Sequence, residues 1–174
     1  MTRFDDLLAT VEKYQALAAE NYARVRQLAE ELRAGLCDYL DSSGGICVQL
    51  VPPGGEFEPR NYGDQAFSVA PNGFRPLGPI AFGLAVRVTK GTDWIRVTMQ
   101  CQKIGEKVVL DIQGGESFSL SLPLTEDDSA KLFEYVYKHV LNWFQSKIDQ
   151  YEQGEYGTRE IGFDFSRETE NAKA

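Results

Sequence analysis

An unbroken amphipathic run at the N-terminus constrains this chain more than any other feature. Leu7, Val11, Tyr14, Ala18, Val25, Leu32 and Leu36 recur at three- and four-residue steps, and Leu8, Leu17, Tyr22 and Leu28 widen the stripe. No proline interrupts the run, so the spacing predicts one helix over residues 3–40. Thr2 and Asp5 make a variant capping box, and Asp5 and Asp6 lie at the positive end of the helix dipole. Asp41-Ser-Ser-Gly-Gly stops the helix, with Gly44 or Gly45 free to take the left-handed cap. Gly35 reads as a weak point or kink near its end.

At about 1.5 Å per residue the run makes a rod of roughly 57 Å, whereas a six-residue strand spans about 20 Å. The helix must therefore break or overhang the sheet it packs on. An overhanging apolar stripe has to be covered, so the expectation is a second copy or another protein bound through this helix.

The middle of the chain switches to period two. Ile46, Val48 and Leu50, then Phe82, Leu84, Val86 and Val88, then Ile95, Val97, Met99 and Cys101, then Val108, Leu110 and Ile112, then Phe118, Leu120 and Leu122 define one apolar face. Short glycine-bearing connectors after residues 89, 102 and 112 read as hairpin loops, so the last four of these five strands form an antiparallel meander. Pro52–Pro79 is a long, proline-rich connection, in which Gln65-Ala-Phe-Ser-Val reads as a short strand. Residues 126–153 form a second helix, capped by Thr125 and ended by Gly154. The fold class is α+β: a two-layer, antiparallel five- to six-stranded sheet with both helices on one face. Residues 1–158 form one domain, and 159–174 form a tail with an apolar, strand-like segment.

The net charge of −8 lies mainly in residues 123–174, with 6 basic and 11 acidic side chains. No basic stripe is present to neutralise phosphates, so nucleic acid is not an expected partner. No run approaches the roughly 18 apolar residues of a membrane span, and the N-terminus lacks the pattern of a signal peptide. Neither a membrane partner nor a leader is expected. Cys37, Cys47 and Cys101 show no metal or redox spacing, and three unpaired thiols fit a cytoplasmic protein.

Catalytic signatures are missing. No glycine-rich dinucleotide or phosphate loop, zinc-protease motif or nucleophile elbow occurs, so no catalytic residue, metal or cofactor is expected. His139 reads as structural, beside Val136 and Val140 and four residues before Trp143. Cys101 reads as a buried small hydrophobe and Cys47 as more accessible. Trp94 and Arg96 project together from the polar sheet face, which is an interaction surface if that face is open; the alternative is that Trp94, near its strand start, folds over a hairpin and packs locally. In the tail, Ile161, Phe163 and Phe165 fall on one side of an extended segment. That segment either adds to the protein's own sheet edge or serves another chain.

The expected function is a non-catalytic, dimeric protein-interaction module of the chaperone, adaptor or inhibitor kind, by analogy of size and element order. Its contacts run through the N-terminal helix or the tail. The alternative is a binder or enzyme for a small anionic ligand, held by Arg60, Tyr62 and Arg75 under the 52–79 loop.

Overall fold

A computed structural model describes residues 1–40, 45–69, 75–154 and 163–167. The elements run α1 (Arg3–Leu40), β1 (Val48–Val51), a 3-10 turn (Gly63–Ala66), β2 (Ile80–Arg87), β3 (Asp93–Ile104), β4 (Lys107–Ile112), β5 (Ser117–Leu120), α2 (Glu126–Glu152) and β6 (Asp164–Arg167). The sheet is antiparallel throughout, in the order β1-β2-β3-β4-β5, and β6 adds to β3. The expected Gln65–Val69 strand is replaced by the 3-10 turn and a single bridge from Phe67 to Phe82.

Local chemistry sets the helix ends. Thr2 Oγ1 accepts from the Asp5 amide at 3.1 Å, and the Thr2 amide donates to the Asp5 carboxylate at 2.8 Å. At α2, Thr125 Oγ1 accepts from the Asp128 amide at 3.1 Å. Gly154 takes φ +74° just beyond α2, a conformation that suits glycine. The expected α1 stop at Asp41–Gly44 lies outside the described residues; Gly45 beyond it has φ +86°.

Both helices cover the same sheet face. Val25, Leu28, Leu32 and Leu36 of α1 and Leu132, Phe133 and Val136 of α2 share one core with Leu50, Phe82, Leu84, Val97, Met99 and Leu110. Gly35 does not break α1. A Cβ there would stand 2.3 Å from the Phe133 ring, so the missing side chain lets α2 close onto α1.

Two expectations are corrected. The cysteines are not all free: Cys37 and Cys47 form a disulfide that joins the end of α1 to the start of β1, and Cys47 is buried. Cys101 alone is free, and burial, with a smaller contribution from Asp111, pushes its thiol pKa up to about 12. The compartment argument from three unpaired thiols therefore lapses. No described helix is long and apolar enough to cross a membrane.

The second correction concerns the other sheet face, which is not open around Trp94 and Arg96. The chain after β1 folds back over it, and Val51, Phe57, Ala85 and Trp94 form a second small core. Trp94 and Arg96 are 2% and 4% exposed. Their neighbour Gly83 makes this possible, since a Cβ there would lie 2.9 Å from the Pro52 carbonyl oxygen and 2.9 Å from Arg96 Cδ.

Candidate functional site

The projecting half of α1 is the first candidate. Its first buried residue is Ala18, and residues 3–17 run about four turns, or roughly 22 Å, ahead of it; within them Val11 and Tyr14 are half-buried, and the Tyr14 hydroxyl donates to the Arg75 carbonyl at 3.1 Å. Phe4 is 68% exposed and Leu7 59%, and Leu8 and Leu17 are exposed too. On a helical wheel Phe4, Leu7, Leu8, Val11 and Tyr14 form one arc continuous with Ala18, Tyr22 and Val25 of the packed half. Asp5, Asp6, Glu12 and Lys13 fall outside that arc.

The loop residues do not gather as one site. Arg60 lies over the Tyr62 ring at 3.8 Å and approaches Glu58 at 3.4 Å, while the Tyr62 hydroxyl accepts from the Glu58 amide. Arg75 lies instead over the Tyr22 ring, 4.3 Å away, on α1. Tyr22 donates to Asp64 at 2.5 Å, and Arg26 pairs with the same carboxylate. The Tyr22 hydrogen bond, aided by Arg26 and Arg75, lowers the Asp64 pKa. Arg60 with Tyr62, and Arg75 with Tyr22, are thus two separate stacks.

The tail joins its own sheet. β6 pairs with β3 so that Asp164 faces Arg96 and Ser166 faces Trp94, and Ser166 Oγ donates to the Phe57 carbonyl at 2.8 Å. Phe163 and Phe165 face α2: Phe163 packs edge-on against His139 and Trp143, while Phe165, 57% exposed, lies against Trp143 and Phe144. Ile161 lies outside the described residues.

β6 also shapes a cavity. Along one edge of β3, residues 93–96 pair with β6 and residues 99–104 pair with β4. Between the two lies a space of about 130 Å³, lined among others by Arg96, Thr98, Gln113, His139, Trp143 and Asp164. The Arg96 guanidinium donates to the Asp164 carboxylate at 2.5 Å and to the Pro52 carbonyl at 3.2 Å, and it stacks 4.8 Å over the Phe57 ring. Arg96 Nε, His139 Nε2 and Trp143 Nε1 are buried without a hydrogen-bond partner among the described residues. Burial lowers the His139 pKa, and a hydrogen bond to the Gln113 backbone partly offsets this. Only the i, i+4 spacing of His139 and Trp143 was visible in the sequence as a hint of this cavity.

A larger apolar groove of about 310 Å³ lies between Leu36 and Leu40 of α1, Val86 of β2 and Val136, Val140 and Phe144 of α2. Among the described residues no three His, Cys, Asp or Glu side chains gather as metal ligands would. No protein-family model, curated protein or solved structure matches this chain.

Proposed function

We propose that this protein is a non-catalytic protein-interaction module that self-associates through the projecting half of α1. One observation carries the reading: about four turns of apolar-striped helix precede its first buried residue, with Phe4 and Leu7 more than half exposed. An exposed stripe of that kind marks a contact surface in a soluble protein. A second copy is the occupant because the stripe is self-complementary. Two copies related by a two-fold axis would set Phe4, Leu7 and Leu8 against the same residues of the other copy. Burying each Phe or Leu is worth about 1.5–3 kcal/mol, so the exposed Phe4, Leu7 and Leu8 of each copy can support a dimer.

Leu7→Lys with Val11→Lys places two charges on the stripe and touches nothing in the core. Light scattering is expected to show a dimer for the native chain and a monomer for the double variant, with an unchanged far-UV circular dichroism spectrum. A native monomer at high micromolar concentration overturns the reading.

A further inference from the structure

The apolar groove at the C-terminal end of α1 is separate from the projecting half, since Leu36 lies roughly 28 Å along the helix from Leu17. Its floor is part of the main core, where Leu36, Val86 and Val136 are almost fully buried. Its walls are partly open. Leu40, Val88, Val140 and Phe144 are half-buried against that core, and Tyr137 and Leu141 are 40% and 47% exposed. Polar groups of the β2 wall are paired within the chain. The Arg87 and Val88 amides donate to the Cys47 and Asp93 carbonyls at 2.9 and 3.0 Å, and the Thr89 hydroxyl donates to the Asp93 carboxylate at 3.2 Å. Among the described residues lining the groove Arg87 alone is charged, and its register partner is Trp94. Residues paired in this way start from the same sheet face, and Trp94 packs on the face away from the helices. The groove thus meets its occupant with hydrocarbon from α1, β2 and α2 and with no charge.

That chemistry selects the occupant. An ionised head group finds no charged partner on these walls and must stay in water, which holds part of its chain out as well. A protein face is a poor fit by size: a specific interface buries about 800 Å² per partner, far more than these partly open side chains offer. The volume of about 310 Å³ is about twice that of a cavity of roughly 150 Å³ that takes one benzene. We propose that this groove binds a small uncharged molecule, largely hydrocarbon, of about eight to twelve carbons. Its apolar body lies between Leu40, Val88 and Val140, and any hydroxyl or ester group points to the mouth at Tyr137.

The test titrates the full chain with 1-octanol and, separately, with octanoate, following the Leu36, Val86 and Val136 methyl signals by NMR. 1-Octanol is expected to shift them saturably with a submillimolar Kd. Octanoate is expected to bind at least about fivefold more weakly. Val140→Trp puts a large side chain into the groove and is expected to weaken 1-octanol binding at least about tenfold, since it displaces about two or more carbons. Val88→Trp is the second variant should Val140→Trp fail to fold. Leu7→Lys with Val11→Lys is expected to leave the affinity unchanged, which separates this site from self-association. No saturable shift up to about 3 mM overturns the proposal, as does full affinity in a folded variant with a filled groove. Octanoate binding as tightly as 1-octanol overturns it too, and so does loss of binding in the α1 variant, which would move the site to the α1 contact.

Discussion

Arg96 and Asp164 tie the centre of the sheet to its last described strand. The guanidinium side chain, 2% exposed, donates at 2.5 Å to a carboxylate 68 residues further along the chain. The carboxylate side is open to solvent at 63%, so the pair is buried on one side only. Asp164→Ala removes one charged hydrogen bond and leaves Arg96 held by Pro52 and Phe57. The expected cost is about 1–2 kcal/mol, because the pair is half solvated. Urea unfolding with an unchanged slope and a lower midpoint checks it, and an unchanged midpoint contradicts it.

Gly35→Ala puts a methyl group into the Phe133 ring. Alanine improves helix propensity by about 1 kcal/mol, yet overpacking costs about 1–3 kcal/mol, so the variant is expected to be less stable. Adding Phe133→Leu should recover part of the loss. A more stable Gly35→Ala protein would show that α1 and α2 are not closely packed there.

Thiol reactivity follows from burial. Ellman's reagent is expected to find no reactive thiol in the native oxidised chain, and one, Cys101, after denaturation. The Cys37–Cys47 bridge closes a short loop of sequence separation 10, for which chain entropy gives about 2.5–3 kcal/mol. Reducing agent should lower stability by that order in the native chain. It should do nothing to a Cys37→Ser, Cys47→Ser variant.

His139 contributes a pH dependence of definite sign. Its folded pKa lies below the ordinary 6.5, burial being the main cause, so between the two values the unfolded chain binds more protons. Stability then falls as the pH drops below about 6.5. The charged groups lining the same cavity are Arg96 and Asp164. His139→Gln should flatten stability across pH 6.5 to 5 and leave the carboxylate-driven loss at lower pH. An identical pH profile in the variant contradicts the assignment.

Deleting residues 159–174 removes β6 and the Phe163 packing against His139 and Trp143. A partly buried phenylalanine with a four-residue strand is worth about 2–4 kcal/mol. Differential scanning calorimetry should show a clear drop in melting temperature. An unchanged melting temperature would mean that the strand contributes nothing to its own sheet.

The elements legible in the sequence are those set by near neighbours. The stripe of α1, the Thr2–Asp5 and Thr125–Asp128 caps, and the alternation of Phe82 to Val86 or Ile95 to Cys101 all depend on residues a few positions apart. Alternation reports only which side Trp94 and Arg96 face and not what covers that side. Their cover comes from Phe57 and from Asp164 to Ser166, far away in the chain. The disulfide was missed for a related reason: only folding α1 and β1 against each other brings Cys37 and Cys47 within a Cα distance of 5.6 Å. The cavity takes residues from β3, the β4–β5 turn, α2 and the tail, and no single spacing records such a meeting.

Because β6 pairs with β3, one stretch of the sheet is completed by the most C-terminal described segment. During synthesis the Asp93–Arg96 edge of β3 emerges well before its partner, by about 3–14 s for a gap of 68 residues at ordinary elongation rates. For that interval the nascent chain presents the unpaired backbone groups of that stretch of β3, the kind of edge that recruits foreign strands. A ribosome stalled within α2 would thus hold a half-built sheet, and chaperone dependence should rise with the length of such a pause.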